Sequence, residues 1–543
     1  MAMLAPFLIA IVAWWLYSQI IEPQPFYMSA DPEIPYLMNS LSVFKGEPYT
    51  FIDHPGTPIE IIGSAILGMT YPFVGYIADS FPLAHILHPE YFLFIVRTLL
   101  VLMSMGTMAL LVRYTVLGNH WTDGFAAVAV AVLFFTIHPK GFEYIINWSH
   151  NSFSFPVGTL LGLGIFYLVV NKKGGTSAQV VLLGFLLGVL TAVQIYFLTW
   201  VVAAIVAMAT YNILSGQGWK RAVISSVLIC VSSLGGFVVS TLPISNRYPE
   251  FVSWIIRVGA HQGRHGSGPP GFISLEIAVA NFIFLWEELR LLFITIGLLI
   301  GVVVVIAIQQ RRSIKTNAGL WAVAFGLIVQ VGLMSALVIK HPGVIYMQAV
   351  AAALPLMLAV VFSLMHFSQP QMKSMPRLIK FGLSSVVFAI FTVAWIRSFI
   401  LYDAETKNVQ SAVEEIDVFL DDFSLDQALD RSSLTILRIY GMPSKCLALW
   451  YGNQYAGYTF SDEISSICPR DLYYNLWQNR VILADGSLVP LDQSNWDILV
   501  AYEAALKDFP YLAEVGEVVY SETQLGNFGR IVYVLPDLES SSD

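Results

Sequence analysis

Residues 289–309, LRLLFITIGLLIGVVVVIAIQ, carry one charge, Arg290, in a run long enough to cross a bilayer. A helix needs about 20 consecutive apolar residues to span the hydrocarbon layer, and a buried core helix in a soluble enzyme seldom sustains such a run. Comparable runs recur along the chain. We expect spans at 4–21, 93–114, 122–138, 155–171, 179–195, 197–214, 221–243, 289–309, 318–339, 344–366 and 379–401. The pair at 179–214 reads equally as one long kinked helix or as two helices tightly paired around Gln194.

Composition agrees with these runs. The chain has 543 residues, 56% of them hydrophobic and 12% charged, with mean hydropathy +0.68. That balance excludes an ordinary soluble enzyme. A net charge of -9 without a basic tract argues against a nucleic-acid partner. The lipid bilayer is the expected partner instead. After Asp403 the texture turns soluble, with charges, turns and aromatics mixed. Two domains follow: a membrane domain, 1–402, and a soluble tail, 403–543, expected to be a small α/β domain. The first helix lacks a basic leader and a small-residue cleavage site, so it reads as a retained anchor. Cys446 and Cys468 both lie in the tail, where a disulfide and two free thiols are both open.

Charge sets the orientation. The stretch 59–79 is apolar but holds Pro72 and Glu60. If it lies in the outer interface instead of crossing, the loops with Lys172-Lys173, Lys220-Arg221, Arg311-Arg312-Lys315 and Lys373-Arg377-Lys380 all fall on the cytoplasmic side. Eleven spans result. Of fourteen acidic residues before position 403, only Asp123 is then inside, and eight of ten histidines are outside. The long loops 22–92, 139–154 and 244–288 are outside as well. The working face is therefore expected to be extracytoplasmic, with the tail on the same side.

That face begins with residues 28–60, MSADPEIPYLMNSLSVFKGEPYTFIDHPGTPIE. Asp31 and Glu33 suit a general base with an orienting partner, hard ligands for a divalent cation, or a solvated helix cap. Tyr36 follows, then Gly46, then Asp53-His54-Pro55-Gly56-Thr57-Pro58. There Asp53 and His54 either serve a site or cap the next helix. This order resembles the first extracytoplasmic loop of the GT-C glycosyltransferases, particularly the branch of protein O-mannosyltransferases and lipid A aminoarabinose transferases. Arg97 at the next span resembles the family too. So does Lys340-His341-Pro342-Gly343 with Tyr346 and Pro355.

The resemblance implies a membrane glycosyltransferase with a polyprenyl-phosphate-linked sugar donor and a glycan, lipid or protein acceptor. Asp31 matches the family's base, with Glu33 beside it. Two features depart from the family. Pro32 separates the acids, and the second outer loop, Asn147-Trp148-Ser149-His150-Asn151, lacks the carboxylate that many members carry. A divalent cation is possible but no metal site is assigned. His150 is kept as a substrate-binding candidate. In 257–271, glycines surround His261, Arg264 and His265, a composition suited to a lid over a phosphate or to a flexible connector. Lys340 suits a lipid phosphate as a point charge or merely snorkels. Two rivals remain: a lipid-linked glycan flippase, and a non-catalytic envelope polysaccharide assembly protein. The expected setting is a bacterial inner membrane, with the active site facing the periplasm.

Overall fold

The computed structural model describes residues 26–50, 56–115, 130, 133–134, 147–262, 268–309, 311, 314–368, 393, 396–397, 400, 404, 407, 411, 414–416, 418–426, 430, 434–439, 444–468, 471–475, 480–483, 486–502, 517–522 and 530–534. The expected spans 4–21, 122–138 and 379–401 lie largely or wholly outside them.

In chain order the helices are α1 (Ala30–Lys45), α2 (Thr57–Val74), α3 (Phe81–Leu87), α4 (Pro89–Thr115), α5 (His150–Phe166), α6 (Ser177–Val193), α7 (Leu198–Leu214), α8 (Trp219–Thr241), α9 (Tyr248–Ala260), α10 (Leu275–Glu288), α11 (Arg290–Gln309), α12 (Ala318–Lys340), α13 (Leu354–Ser368), α14 (Lys445–Tyr455) and α15 (Ser461–Ile467). Among the described residues, seven helical stretches are long and apolar enough to cross a membrane. They cover seven of the expected runs in 93–366, one of them with α8 extended through a kinked turn into α9; the shorter α6 covers 179–195. The chain divides into two compact units. The first holds 1–19, 52–61 and 96–401; the second holds 20–51, 62–95 and 402–543. The expected tail thus falls within the second unit, together with most of the first loop.

In the first unit, close glycine contacts give helix directions. A side chain at Gly184 would meet Ile229 and Ser232, one at Gly188 would meet the Ser233 carbonyl and the Phe237 nitrogen, and one at Gly236 would meet the Phe185 carbonyl. The contacts advance together along both helices, so α6 and α8 run parallel. The spacing Gly184-x-x-x-Gly188 lets the two backbones touch, as small-residue pairs do between helices in lipid. Between them in sequence, α7 packs along α8 and runs the other way, with Asn212 near its end donating to Ser225 Oγ at 3.0 Å near the start of α8. Residues 179–214 are therefore a reversed pair. Gln194, extended at φ -151°, breaks the helix, and a short 3-10 turn, Ile195–Phe197, opens the return.

The same geometry gathers the basic loops. Lys172-Lys173 precedes α6 and Lys220-Arg221 opens α8, and these helix starts lie side by side. A side chain at Gly319, at the start of α12, would meet Val169 and Val170 just before Lys172. The segment with Arg311 and Lys315 thus joins the same end. Lys340, at the far terminus of α12, marks the opposite end.

The second unit is built on a mixed seven-stranded sheet of order β4-β3-β2-β1-β5-β7-β6 among its described residues. Its strands are β1 (Ile436–Ile439), β2 (Asp471–Asn475), β3 (Arg480–Ile482), β4 (Leu488–Val489), β5 (Ile498–Tyr502), β6 (Glu517–Glu522) and β7 (Arg530–Val534). The central strand β1 pairs parallel with β2 and β5; the outer pairs are antiparallel. Alternation puts Leu437, Ile439, Leu499 and Ala501 on one buried face. Ile436, Ile498 and Val500 take the other, against Ile416 and Leu420. Both faces are covered, as parallel pairing demands. Cys446 and Cys468 form a disulfide with Cα atoms 5.7 Å apart. Trp450, Tyr451, Phe460, Tyr473 and Tyr474 are buried, so these aromatics build core instead of a sugar-stacking face. Helix α1 packs on α14, where Gly452 meets Ile34 so closely that no larger residue fits.

Candidate functional site

The late motif forms one cluster in the first unit. Lys340 is the last residue of α12, and His341 breaks the helix at φ -122°. After Gly343 the chain enters a 3-10 turn, Val344–Met347. A side chain at Gly343 would come within 2.7 Å of the Tyr346 ring, so glycine lets that ring fold back over the break. Tyr346 then meets Tyr196, ring centres 5.1 Å apart, just beyond the Gln194 break. Two helix interruptions from distant parts of the sequence thus face each other.

Buried amides hold the two breaks together. Gln348 Nε2 donates to the Asn151 carbonyl at 2.7 Å and to Gln194 Oε1 at 3.0 Å, while Gln194 Nε2 donates to Asn151 Oδ1 at 2.8 Å. All three side chains are buried. Inside an apolar unit an unpaired amide costs several kcal/mol at the high end, which is why the three pair with one another. His150, also buried, opens α5 beside this cluster behind a Ser149 cap, whose Oγ accepts from Ser152 N at 3.1 Å.

Beside the ring pair lies a cavity of about 460 Å³. Its walls are mostly apolar, from Ile195, Leu198, Trp254, Val258 and Leu337 among others, with Lys340, His341, Tyr196, Tyr346 and Thr199 as its polar members. Lys340 does not snorkel out. It is buried, its Nζ donates to the Gly259 carbonyl at 2.5 Å, and it lies 4.3 Å from the Phe272 ring centre. The wall contributed by α9 comes from a stretch expected to be an open loop, 244–288. The apolar spacing Phe251, Trp254, Ile255, Val258 was the helical signal there.

The other sequence candidates are distributed as follows. Glu33 and Tyr36 are fully buried in α1, in the second unit, so Glu33 is not a solvated cap. The helix begins at Ala30, ahead of Asp31, so Asp31 lies inside its first turn and not at the cap. The side chain of Asp31, and Asp53, His54, Arg264 and His265 entirely, lie outside the described residues. Arg97 is buried in α4. Gly56, at φ 66°, donates its N–H to the Ala192 carbonyl at 3.0 Å and ties the start of α2 to the end of α6. No group of three metal-ligating side chains occurs among the described residues.

Two further ionisable residues, Glu60 and His85, are buried. Glu60, in the first turn of α2, is fully enclosed; neither carboxyl oxygen meets a hydrogen-bond partner among the described residues, and burial holds its pKa well above the ordinary carboxylate value. His85 in α3 is enclosed as well, with Nε2 2.9 Å from Thr70 Oγ1 and Nδ1 3.0 Å from the Phe81 carbonyl. Burial lowers its pKa, partly offset by the Phe81 carbonyl. Neither a protein-family model nor a curated protein matches the chain.

Proposed function

We propose that the chain is a membrane glycosyltransferase of the GT-C kind, moving a sugar from a polyprenyl-phosphate donor to a hydroxyl acceptor outside the membrane. The observation that carries this reading is the cavity, apolar along its length and polar at Lys340, His341, Tyr196 and Tyr346. A prenyl chain suits such walls, and its phosphate suits a buried ammonium. Breaking the sugar–phosphate bond leaves negative charge on the phosphate, and a cation fixed nearby lowers the cost of that charge. The first loop's resemblance to the GT-C enzymes names Asp31 as the base for the acceptor proton; attack by that hydroxyl on the anomeric carbon displaces the phosphate and inverts the anomeric configuration. Tyr346 and His341 line the donor end.

The rest of the reading follows the charge pattern. Eleven spans, with α2 in the outer interface, put the basic loops on the cytoplasmic side. The gathering of the first three at one end of the first unit, opposite Lys340, supports that orientation, while Lys373-Arg377-Lys380 lies outside the described residues. The Cys446–Cys468 disulfide supports an oxidising compartment for the tail, such as a bacterial periplasm.

Asp31→Asn tests the chemistry. In reconstituted membranes it should lower transfer from a polyprenyl-phosphate sugar by about 10²–10⁴-fold, the usual worth of a general base. Donor binding should persist. Undiminished transfer removes Asp31 as the base, and lipid-linked sugar carried across without transfer favours a flippase.

A further inference from the structure

We propose that Lys340 is a latch that holds α9 over the cavity and lets go when the ammonium is claimed by the phosphate of a lipid ligand. This deepens the donor reading above and rests on it.

Helix α9 is built to be held at its ends. It follows a kinked 3-10 turn, Leu242–Arg247, where Ile244 departs from helical geometry. Of its thirteen residues only Phe251 is buried. Trp254, Ile255, Val258 and Gly259 wall the cavity, while Val252 and Ile256 are exposed on the other side. A helix with so little buried surface opens at low cost.

Its C-terminal carbonyls have few partners. The Arg257 carbonyl accepts from His261 N at 3.1 Å, and the Ala260 carbonyl accepts from Gly271 N at 2.7 Å. Both donors belong to the segment that follows the helix, so neither ties α9 to the bundle. The Gly259 carbonyl is different. It accepts from Lys340 Nζ, 81 residues away at the end of α12. This is a cation on the negative end of a helix, where it stabilises most. Nearby, Asn281 of α10 donates to the Ile339 carbonyl at 2.9 Å, so α10 is anchored to the same terminus independently of Lys340. Freeing Lys340 therefore releases α9 and leaves α10 in place.

A phosphate oxygen outcompetes a neutral carbonyl for an ammonium, because the charge-assisted bond is roughly twice as strong. Lys340 lines the cavity, so a phosphate lodged there reaches the same ammonium. Transfer of one N–H from Gly259 to the phosphate leaves the helix end, among the described residues, bonded only to the segment that follows it. The occupied cavity then opens on the side that α9 covers, which gives the acceptor a way in only after the donor is bound.

The test uses the full-length protein in nanodiscs, with Cys230→Ser to remove the free thiol and spin labels at Ile256→Cys on α9 and Val304→Cys on α11. Both positions are exposed. A long-chain polyprenyl phosphate should lengthen and broaden the measured distance. The matching polyprenol, inorganic phosphate and anionic phospholipid should leave it unchanged. Lys340→Met should show the lengthened distribution without ligand, with polyprenyl phosphate affinity reduced by about tenfold or more. Bound polyprenyl phosphate with an unmoved label overturns the latch alone. Failure of polyprenyl phosphate to bind overturns the donor reading and the latch with it. A shift produced equally by polyprenol overturns the role of the phosphate. The comparison of ligands in the unsubstituted Lys340 protein decides the matter even where Lys340→Met fails to fold.

Discussion

A carboxyl group enclosed without a hydrogen-bond partner among the described residues, as at Glu60, destabilises the fold unless the group keeps its proton. Below the ordinary carboxylate value both folded and unfolded chains are protonated there, and the site costs nothing electrostatically. Above it the unfolded chain ionises while the folded chain does not, so stability falls with rising pH up to the raised folded-state value, at about 1.4 kcal/mol per unit. Glu60→Gln should therefore raise the melting temperature at pH 8 and leave it unchanged near pH 4; a variant no more stable than the parent at pH 8 would mean that Glu60 ionises in the fold as it does in the unfolded chain. His85 has the opposite sign. Its lowered value keeps it neutral, so the second unit loses stability as pH falls below about 6.5, where the unfolded chain takes up the proton first. Melting curves of the intact protein and of His85→Gln between pH 5 and 7.5 should converge at the acid end.

Between elements, the closest approach is that of α6 and α8 at Gly184, Gly188 and Gly236. Gly188→Leu would drive a side chain into the backbone at Ser233, and should cost about 1–3 kcal/mol as an overpacked contact, read as a lower melting temperature in detergent. The disulfide closes a separation of 22 residues, and Cys468→Ser should cost the second unit about 3 kcal/mol in thermal unfolding. The spans were legible in the sequence because twenty apolar residues in a row have few other uses, and the α/β character of the tail because short runs rich in Ile, Leu and Val, such as Arg530–Val534, have the composition of buried strands. The reversal at Gln194 was not legible. A polar residue between two apolar runs fits a kink or a turn equally well until Asn151 and Gln348 are known to meet it. Lys340 reads locally as a cation suited to phosphate, yet its tie to Gly259 spans 81 positions and leaves no local trace. Helix α9 was missed for another cause: its polar residues and flanking prolines and glycines read as loop, although its apolar spacing was helical.

At the scale of the chain, the two units carry separate questions. In the first, the basic loops at one end and the candidate donor residues at the other predict that thiol labels placed at Lys173 and at His341 react from opposite sides of a sealed vesicle. Labelling of both from one side would refute the orientation. In the second, the parts come from far apart: the early segments 20–51 and 62–95 complete a body whose sheet lies beyond residue 402. Helix α1, with Ile34, Leu37, Met38 and Leu41 all fully enclosed, has α14 as its partner, some four hundred residues later. During synthesis that helix emerges long before the strands and must wait, its apolar face uncovered, while the whole bundle is inserted. Assembly of this unit therefore waits until the strands beyond residue 402 have been made. A chain that stops at residue 402 should insert normally and yet be cut by added protease within 33–42, a stretch the full-length protein buries.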